Sequence, residues 1–253
     1  MPFVNPSIAV IVPTYGRLQY LPRVLASFLS QEYCNKELII VNDEPGVHLE
    51  CNYDNVSVIN LTKQILLPDK RNVGISLAKA ELVVGLDDDD IILPDRLCNL
   101  ARYFEANPEC ESYFNPCAYS LYEDTFSKTT TISTTNTCFT KDLWYKVGGY
   151  TGTKNKGEDV DFFKKISEYT TIVNDENHRD FIYMWSSINY HATHHTQQEI
   201  DKIALSQNIK GEYLIESNCS QYCNIVKLVE LYKRTQQPIQ VTTKGVDIFY
   251  EDN

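Results

Sequence analysis

Four consecutive carboxylates, Asp87-Asp88-Asp89-Asp90, directly follow the apolar run Leu82–Leu86. Adjacent like charges repel one another and cost stability unless a cation stands between them. A hard divalent cation prefers oxygen ligands of this kind and often bridges them to substrate phosphates. Out of context, such a run is a solvated acidic turn. A second acidic group, Glu158-Asp159-Val160-Asp161, precedes Phe162, Phe163 and Ile166, which fit the buried side of a helix. Carboxylates favour the first turn of a helix on electrostatic grounds alone. A carboxylate there can also take the proton from a hydroxyl whose oxygen is forming a bond. Three of the five histidines, His191, His194 and His195, fall close together farther along. A neutral imidazole can complete a metal shell or touch a diphosphate.

These groups need a scaffold. Ile8–Val12, Leu38–Val41, Val56–Ile59 and Leu82–Leu86 are short apolar runs without polar alternation. Runs of this kind suit strands buried on both faces, as in a parallel sheet. Leu18, Leu21, Leu25, Phe28 and Leu29 recur at helical spacing, with Pro22 expected in the first turn. Leu97, Leu100, Ala101 and Phe104 form another stripe, with Asp95 placed to cap it and Pro108 beyond its end. The alternation predicts a doubly wound α/β fold, in which ligands bind at the carboxyl ends of the strands. From about Ser112 the pattern shifts, and Ser127–Thr137 reads as antiparallel strand or surface loop. Two later stripes, Ile200/Ile203/Ala204 and Ile225/Leu228/Val229/Tyr232, predict C-terminal helices. The expected organisation is a catalytic domain over 1–197 and a helical extension over 198–253 packed on the same domain.

The polar motifs follow these elements in order. Pro13-Thr14-Tyr15-Gly16-Arg17 comes after the first run, and Val41-Asn42-Asp43-Glu44 ends the second. Lys70-Arg71-Asn72-Val73-Gly74-Ile75 precedes the run that leads into the acidic tetrad. Leu93-Pro94-Asp95-Arg96-Leu97, Gly148-Gly149-Tyr150 and Gly157-Glu158-Asp159-Val160-Asp161-Phe162 come after it. In this order and spacing they resemble the family-2 glycosyltransferases of GT-A fold over roughly residues 7 to 195. The stretch after the tetrad is similar to that of the family's spore-coat polysaccharide glycosyltransferase.

The resemblance implies a mainly parallel doubly wound sheet with a smaller antiparallel part. It implies an inverting transfer of one sugar from a nucleotide-diphosphate donor, UDP or another pyrimidine nucleotide, to a hydroxyl of a glycan or other acceptor. Pro13, Thr14, Tyr15 and Arg17 would lie in the donor loop. Asp43 would accept from the nucleobase, and Arg71 would sit near base or phosphate. Asp87 and Asp88 would face the donor. Aligned from Pro94, Asp87 and Asp89 are the two carboxylates of the D-x-D motif, with Asp89 the chief ligand of Mn2+ or Mg2+ and Asp90 flanking. Asp159 would be the base, supported by Glu158 and Asp161, and His191, or second His194, would reach the metal.

Composition narrows the alternatives. A net charge of -11 disfavours a broad nucleic-acid surface. The longest aliphatic run, Ile8–Val12, is too short to span a bilayer, and Met1-Pro2-Phe3-Val4-Asn5 does not read as a signal peptide. The eight cysteines include no C-x-x-C pair and read as free thiols of a reducing compartment, so a cytoplasmic location is expected. No G-x-G-x-x-G follows the first run and no Walker A loop is present. Two rival readings are a catalytically silent sugar-nucleotide or glycan-binding module and a sugar nucleotidyltransferase.

Overall fold

The computed structural model describes residues 4–122, 125–130, 136–153, 157–176, 178–185 and 246–248. β1 (Ile8–Thr14), β2 (Lys36–Asn42), β3 (Val56–Leu61) and β4 (Leu82–Gly85) form its centre. They follow the four apolar runs closely. β5 (Ile91–Ile92), β6 (Ser112–Phe114), β7 (Cys117–Tyr122), β8 (Thr125–Thr130), β9 (Thr137–Thr140), β10 (Thr170–Ile172), β11 (Phe181–Trp185) and β12 (Val246–Ile248) complete the strands. The helices are α1 (Leu21–Leu29), α2 (Leu67–Leu77), α3 (Arg96–Ala106), α4 (Lys141–Lys146) and α5 (Glu158–Ile166).

The main sheet has the order β10-β6-β9-β4-β1-β2-β3-β12. β1, β2, β3, β4 and β12 are mutually parallel, and β9 runs against both β4 and β6. β10 is parallel to β6. A smaller sheet, β5-β11-β7-β8, pairs β5 with β11 and β7 with β8 in antiparallel fashion. This is the mixed α/β arrangement expected from the sequence.

Alternation along β1 divides the core. Ile8, Val10 and Val12 pack with Val24, Leu25 and Phe28 of α1 and with Leu97, Leu100 and Phe104 of α3. Ala9 and Ile11 face the other way, onto Val73 and Ile75 of α2, Leu143 of α4, and Phe162 and Ile166 of α5. Each central strand is therefore covered on both faces, which is why its sequence is uniformly apolar.

Pro22 lies in the first turn of α1, where its missing N–H leaves no bond unmade. Asp95 departs from expectation. It occupies the position before α3 in helical conformation and makes no capping bond with its side chain. Gln31 serves instead, its Oε1 accepting from Leu97 N at 3.1 Å while its Nε2 donates to Leu93 O at 2.6 Å. α2 and α4 carry no apolar stripe that announces them. α2 approaches β1 so closely that a Cβ on Gly74 would lie 2.6 Å from Ile11 Cγ2. β12 adds a strand to the edge of the main sheet beside β3. The helical stripes expected after residue 198 lie outside the described residues.

Candidate active site

The carboxyl ends of β4, β1 and β2 lie side by side, and each releases a short polar segment. β1 ends at Thr14, whose Oγ1 donates to Asp88 Oδ2 at 2.8 Å. Pro13, beside it, is buried in the strand, and Tyr15 stands 44% exposed at the mouth. Gly16 N donates to Glu44 Oε2 at 3.1 Å, which ties this loop to the one after β2.

Arg17 turns its guanidinium onto the acidic run. Nη2 lies 2.5 Å from Asp88 Oδ1, and Nη1 lies 2.8 Å from Asp89 Oδ2. Asp88, Asp89 and Asp90 are all buried. Burial pushes the Asp88 carboxyl up to about 7 against the pull of Arg17. It raises Asp89 as well, and Asp90 well above the ordinary range. Asp90 Oδ1 accepts from Met184 N of β11 at 2.9 Å, whereas its buried Oδ2 takes no hydrogen bond.

Asp87, Asp89 and Asp90 each offer an oxygen, and these oxygens lie within 4.8 Å of one another. Three clustered carboxylates, one with an unsatisfied buried oxygen, match the hard-oxygen donor set that Mg2+ or Mn2+ takes. Asp90, expected only to flank the motif, is thus part of the cluster. The apolar pair Ile91-Ile92, buried in β5, is the sequence signal that carries it inward. His191 and His194 lie outside the described residues.

Arg71 of α2 joins the acidic run to α5. Its Nη2 donates to Asp87 Oδ1 at 2.8 Å and its Nε to Glu158 Oε1 at 3.2 Å. Burial works against the charge, but Asp87, Tyr150 and Glu158 hold the guanidinium pKa above its ordinary value. Tyr150 stacks on Phe162 of α5 with ring centroids 4.0 Å apart and lies 5.7 Å from the guanidinium. Asn72, which the motif reading left without a role, fastens this unit. Its Oδ1 accepts from Tyr150 N at 2.9 Å and Trp144 Nε1 at 3.0 Å, and its Nδ2 donates to Tyr150 O at 2.8 Å.

Asp159 sits in the first turn of α5, partly buried, between Glu158 and the exposed Asp161. Burial raises its carboxyl pKa, while the Val160 N–H and Arg71 pull the other way. Among the described residues Asp161 pairs with Lys164, at 3.4 Å on the surface.

Asp43, at the end of β2, is completely buried. Its Oδ1 accepts from Lys70 Nζ, and its Oδ2 accepts from Ile65 N at 3.0 Å. Lys70 also donates to Thr14 O at 3.2 Å. Burial lowers the Lys70 pKa although Asp43 supports the charge. Lys70 was not singled out in the sequence. Its only signal there is a second basic residue directly before Arg71.

The family model for Glycosyl transferase family 2 matches residues 9–163, which run from β1 into α5. The chain belongs to this family. A relative from Haemophilus influenzae, described as an uncharacterized glycosyltransferase, is 28% identical over 180 residues. That match covers 63% of this chain and 61% of the relative, so the chain spans about three fifths of its length. Among solved structures, residues 1–349 of S. aureus TarS in complex with UDP-GlcNAc superimpose with a TM-score of 0.59 at 16% identity. The match covers 90% of this chain and 73% of that one. The mannosyltransferase PcManGT from Pyrobaculum calidifontis, in complex with GDP-Man and Mn2+, gives a TM-score of 0.55 at 15% identity. It covers 93% of this chain and 72% of that one. At these identities the likeness to solved structures is one of fold.

Proposed function

We propose that the protein is an inverting, metal-dependent glycosyltransferase that moves one sugar from a nucleotide-diphosphate donor to a hydroxyl of a glycan or other acceptor. The observation that carries this reading is the Asp87/Asp89/Asp90 cluster at the end of β4, joined through Arg71 to the helix that bears Asp159. A carboxylate cluster suited to a divalent cation is thereby linked, through one arginine, to the helix that carries the candidate base. Family membership supports the reaction class.

Asp87 and Asp89 would hold Mn2+ or Mg2+, with Asp90 as a third carboxylate of the set. Bound there, the cation stabilises negative charge on the departing diphosphate. Thr14, Tyr15 and the Lys70–Asp43 pair would line the donor's nucleoside side. Arg17 neutralises Asp88 and Asp89 and, 29% exposed in its side chain, can turn toward an incoming phosphate. Asp159 accepts the acceptor's proton as that oxygen attacks the anomeric carbon opposite the leaving group. Glu158, salt-bridged to Arg71, orients the helix start rather than serving as an independent base. His191 remains a proposed further ligand.

TarS binds UDP-GlcNAc and PcManGT binds GDP-Man, so the shared fold accommodates more than one base. We favour UDP or another pyrimidine nucleotide as donor, with residues 1–197 as the catalytic domain. A net charge of -11 disfavours nucleic acid as a partner. No helix among the described residues is long and apolar enough to cross a membrane.

A thermal-shift panel of nucleotide sugars, with and without Mn2+, tests the donor reading. A ligand specific for the folded state raises the melting temperature by mass action. The expected result is a shift with one donor class that depends on the metal. A shift without turnover toward any acceptor would favour the binding-module alternative. Release of pyrophosphate from a nucleoside triphosphate and a sugar phosphate would favour the nucleotidyltransferase.

A further inference from the structure

We infer that Cys34 and Cys98, neither of which belongs to the candidate active site, form a redox-active thiol pair that closes reversibly to a disulfide by exchange with a small-molecule disulfide. Both are free thiols in this structure, Cys34 exposed and Cys98 half-buried. Cys34 lies between α1 and β2, and Cys98 lies in the first turn of α3. They are far apart in the chain, and only the fold brings them together.

The contacts on either side hold them against each other. Glu32 N donates to Pro94 O at 2.9 Å, and Gln31 Oε1 accepts from Leu97 N at 3.1 Å. Cys34 is two residues beyond Glu32, at most about 7 Å along the chain. Cys98 is four residues beyond Pro94, about 6 Å along the helix axis. Directly after Cys34, Asn35 Nδ2 donates to Asn5 O at 2.7 Å, and Asn5 N donates to Glu105 Oε1 at 2.8 Å. Glu105 is two turns from Cys98 and shares its face of α3. The segment 32–35 is thus tied to α3 on both sides of Cys98, with Cys34 inside the tie. The electrostatics agree. Burial raises the Cys98 thiol pKa, Arg102 opposes the rise, and Cys34 adds to it. Lys36, whose ammonium donates to Gln31 O, feels both sulfurs.

The exchange proceeds in two displacements, each with a thiolate as attacking species. Cys34, the more exposed sulfur, attacks one sulfur of the small-molecule disulfide and releases one thiol. Cys98 then attacks the Cys34 sulfur of the mixed disulfide and releases the second thiol. The protein loses two hydrogens with their electrons, and the small disulfide gains them as two thiols. Arg102 favours the Cys98 thiolate that the second step needs. In a reducing compartment the pair stays open. Closure joins the start of α3 to the segment that leaves α1. α1 and this segment already grip the residues directly behind the acidic run. Ser27 Oγ donates to Ile92 O at 3.3 Å, and Gln31 Nε2 donates to Leu93 O at 2.6 Å. The bond braces that junction and leaves the carboxylates untouched.

Incubation of the native full chain with oxidised glutathione, followed by alkylation of the remaining thiols, intact mass and peptide mapping, tests this. The expected product lacks two hydrogens, yields a cross-linked Cys34–Cys98 peptide and reopens with dithiothreitol. Its melting temperature should exceed that of the reduced protein by about 5 °C or more, because the cross-link restricts the unfolded chain. Cys98→Ser should stop at a glutathione adduct on Cys34, and Cys34→Ser should lose the cross-link. The inference is overturned if wild-type Cys34 keeps its glutathione and no cross-linked peptide forms. It is equally overturned if either residue pairs with another cysteine instead, or if the Cys34–Cys98 link forms only in urea. A melting temperature that does not rise on closure would overturn the bracing role. The wild-type map decides the pairing even if a serine variant fails to fold.

Discussion

Asp159, as the proposed base, is the residue at which binding and chemistry should separate. Its replacement by Asn keeps shape and removes the proposed proton acceptor, so transfer to a true acceptor should fall about 100- to 10,000-fold while donor affinity persists. Single-turnover assays against calorimetry check this, and an unchanged rate would move the base to another carboxylate. The pH behaviour follows from the raised carboxyl pKa, whose main cause is burial. Between the unfolded and folded pKa values the folded protein binds the extra proton, so this group's contribution to stability falls as pH rises through that window. Asp159→Asn should therefore be at least as stable as wild type at neutral pH, with the gap closing in acid, as urea melts at the two conditions would show. Arg71 behaves in the opposite way. It is 4% exposed and bridges two carboxylates, so Arg71→Ala strands buried charge. The expected loss is about 3–5 kcal/mol in chemical denaturation. The sequence marked Asp87, Asp89, Arg71 and Asp159 because each stands in a recognisable motif. It did not mark Lys70, Asn72 or the inward turn of Asp90, since their roles arise from partners distant in the chain. Lys70 meets Asp43 across 27 residues, and Asn72 meets Tyr150 across 78.

Elements buried on one side by apolar residues were legible, and elements whose buried side is polar were not. The four central strands and the stripes of α1 and α3 announce themselves through packing. α2 does not, because it turns Lys70 and Arg71 inward as well as Val73 and Ile75. Its buried face is half apolar core and half charged candidate site, which cancels the helical periodicity. The cost of fixing α2 so close to β1 is that residue 74 must lack a side chain. Gly74→Ala would place a Cβ 2.6 Å from Ile11 Cγ2. Overpacking of this kind costs about 1–3 kcal/mol. Because α2 carries Lys70 and Arg71, two of the basic residues of the candidate site, the same variant should also weaken donor binding, and a thermal melt with calorimetry would detect both losses. The cap on α3 shows another limit. Asp95 has the right residue type and position, yet Gln31, from the end of α1, makes the bond. Local rules name the residue that suits a cap, whereas tertiary contact decides which side chain arrives.

Across the whole molecule, one main sheet sets the geometry. Parallel β4, β1 and β2 bring the acidic cluster, the Thr14–Arg17 loop and the Lys70–Asp43 pair to one edge, and α2 with α5 delivers Arg71 and Asp159 to the same place. The small sheet closes the far side through the Met184 N–H on Asp90. A buried ion pair anchors that sheet: Arg96 Nη1 lies 2.6 Å from Asp180 Oδ1, directly before β11. On the proposed function, this edge transfers sugar with a cation held by the carboxylates. The most direct test measures release of nucleoside diphosphate from a panel of nucleotide sugars with Mn2+, for wild type and Asp89→Ala, with and without EDTA. The expected result is release from one donor class, accelerated by a hydroxyl acceptor and abolished both by EDTA and by Asp89→Ala. No release from any donor, or release that neither EDTA nor the substitution changes, would contradict it.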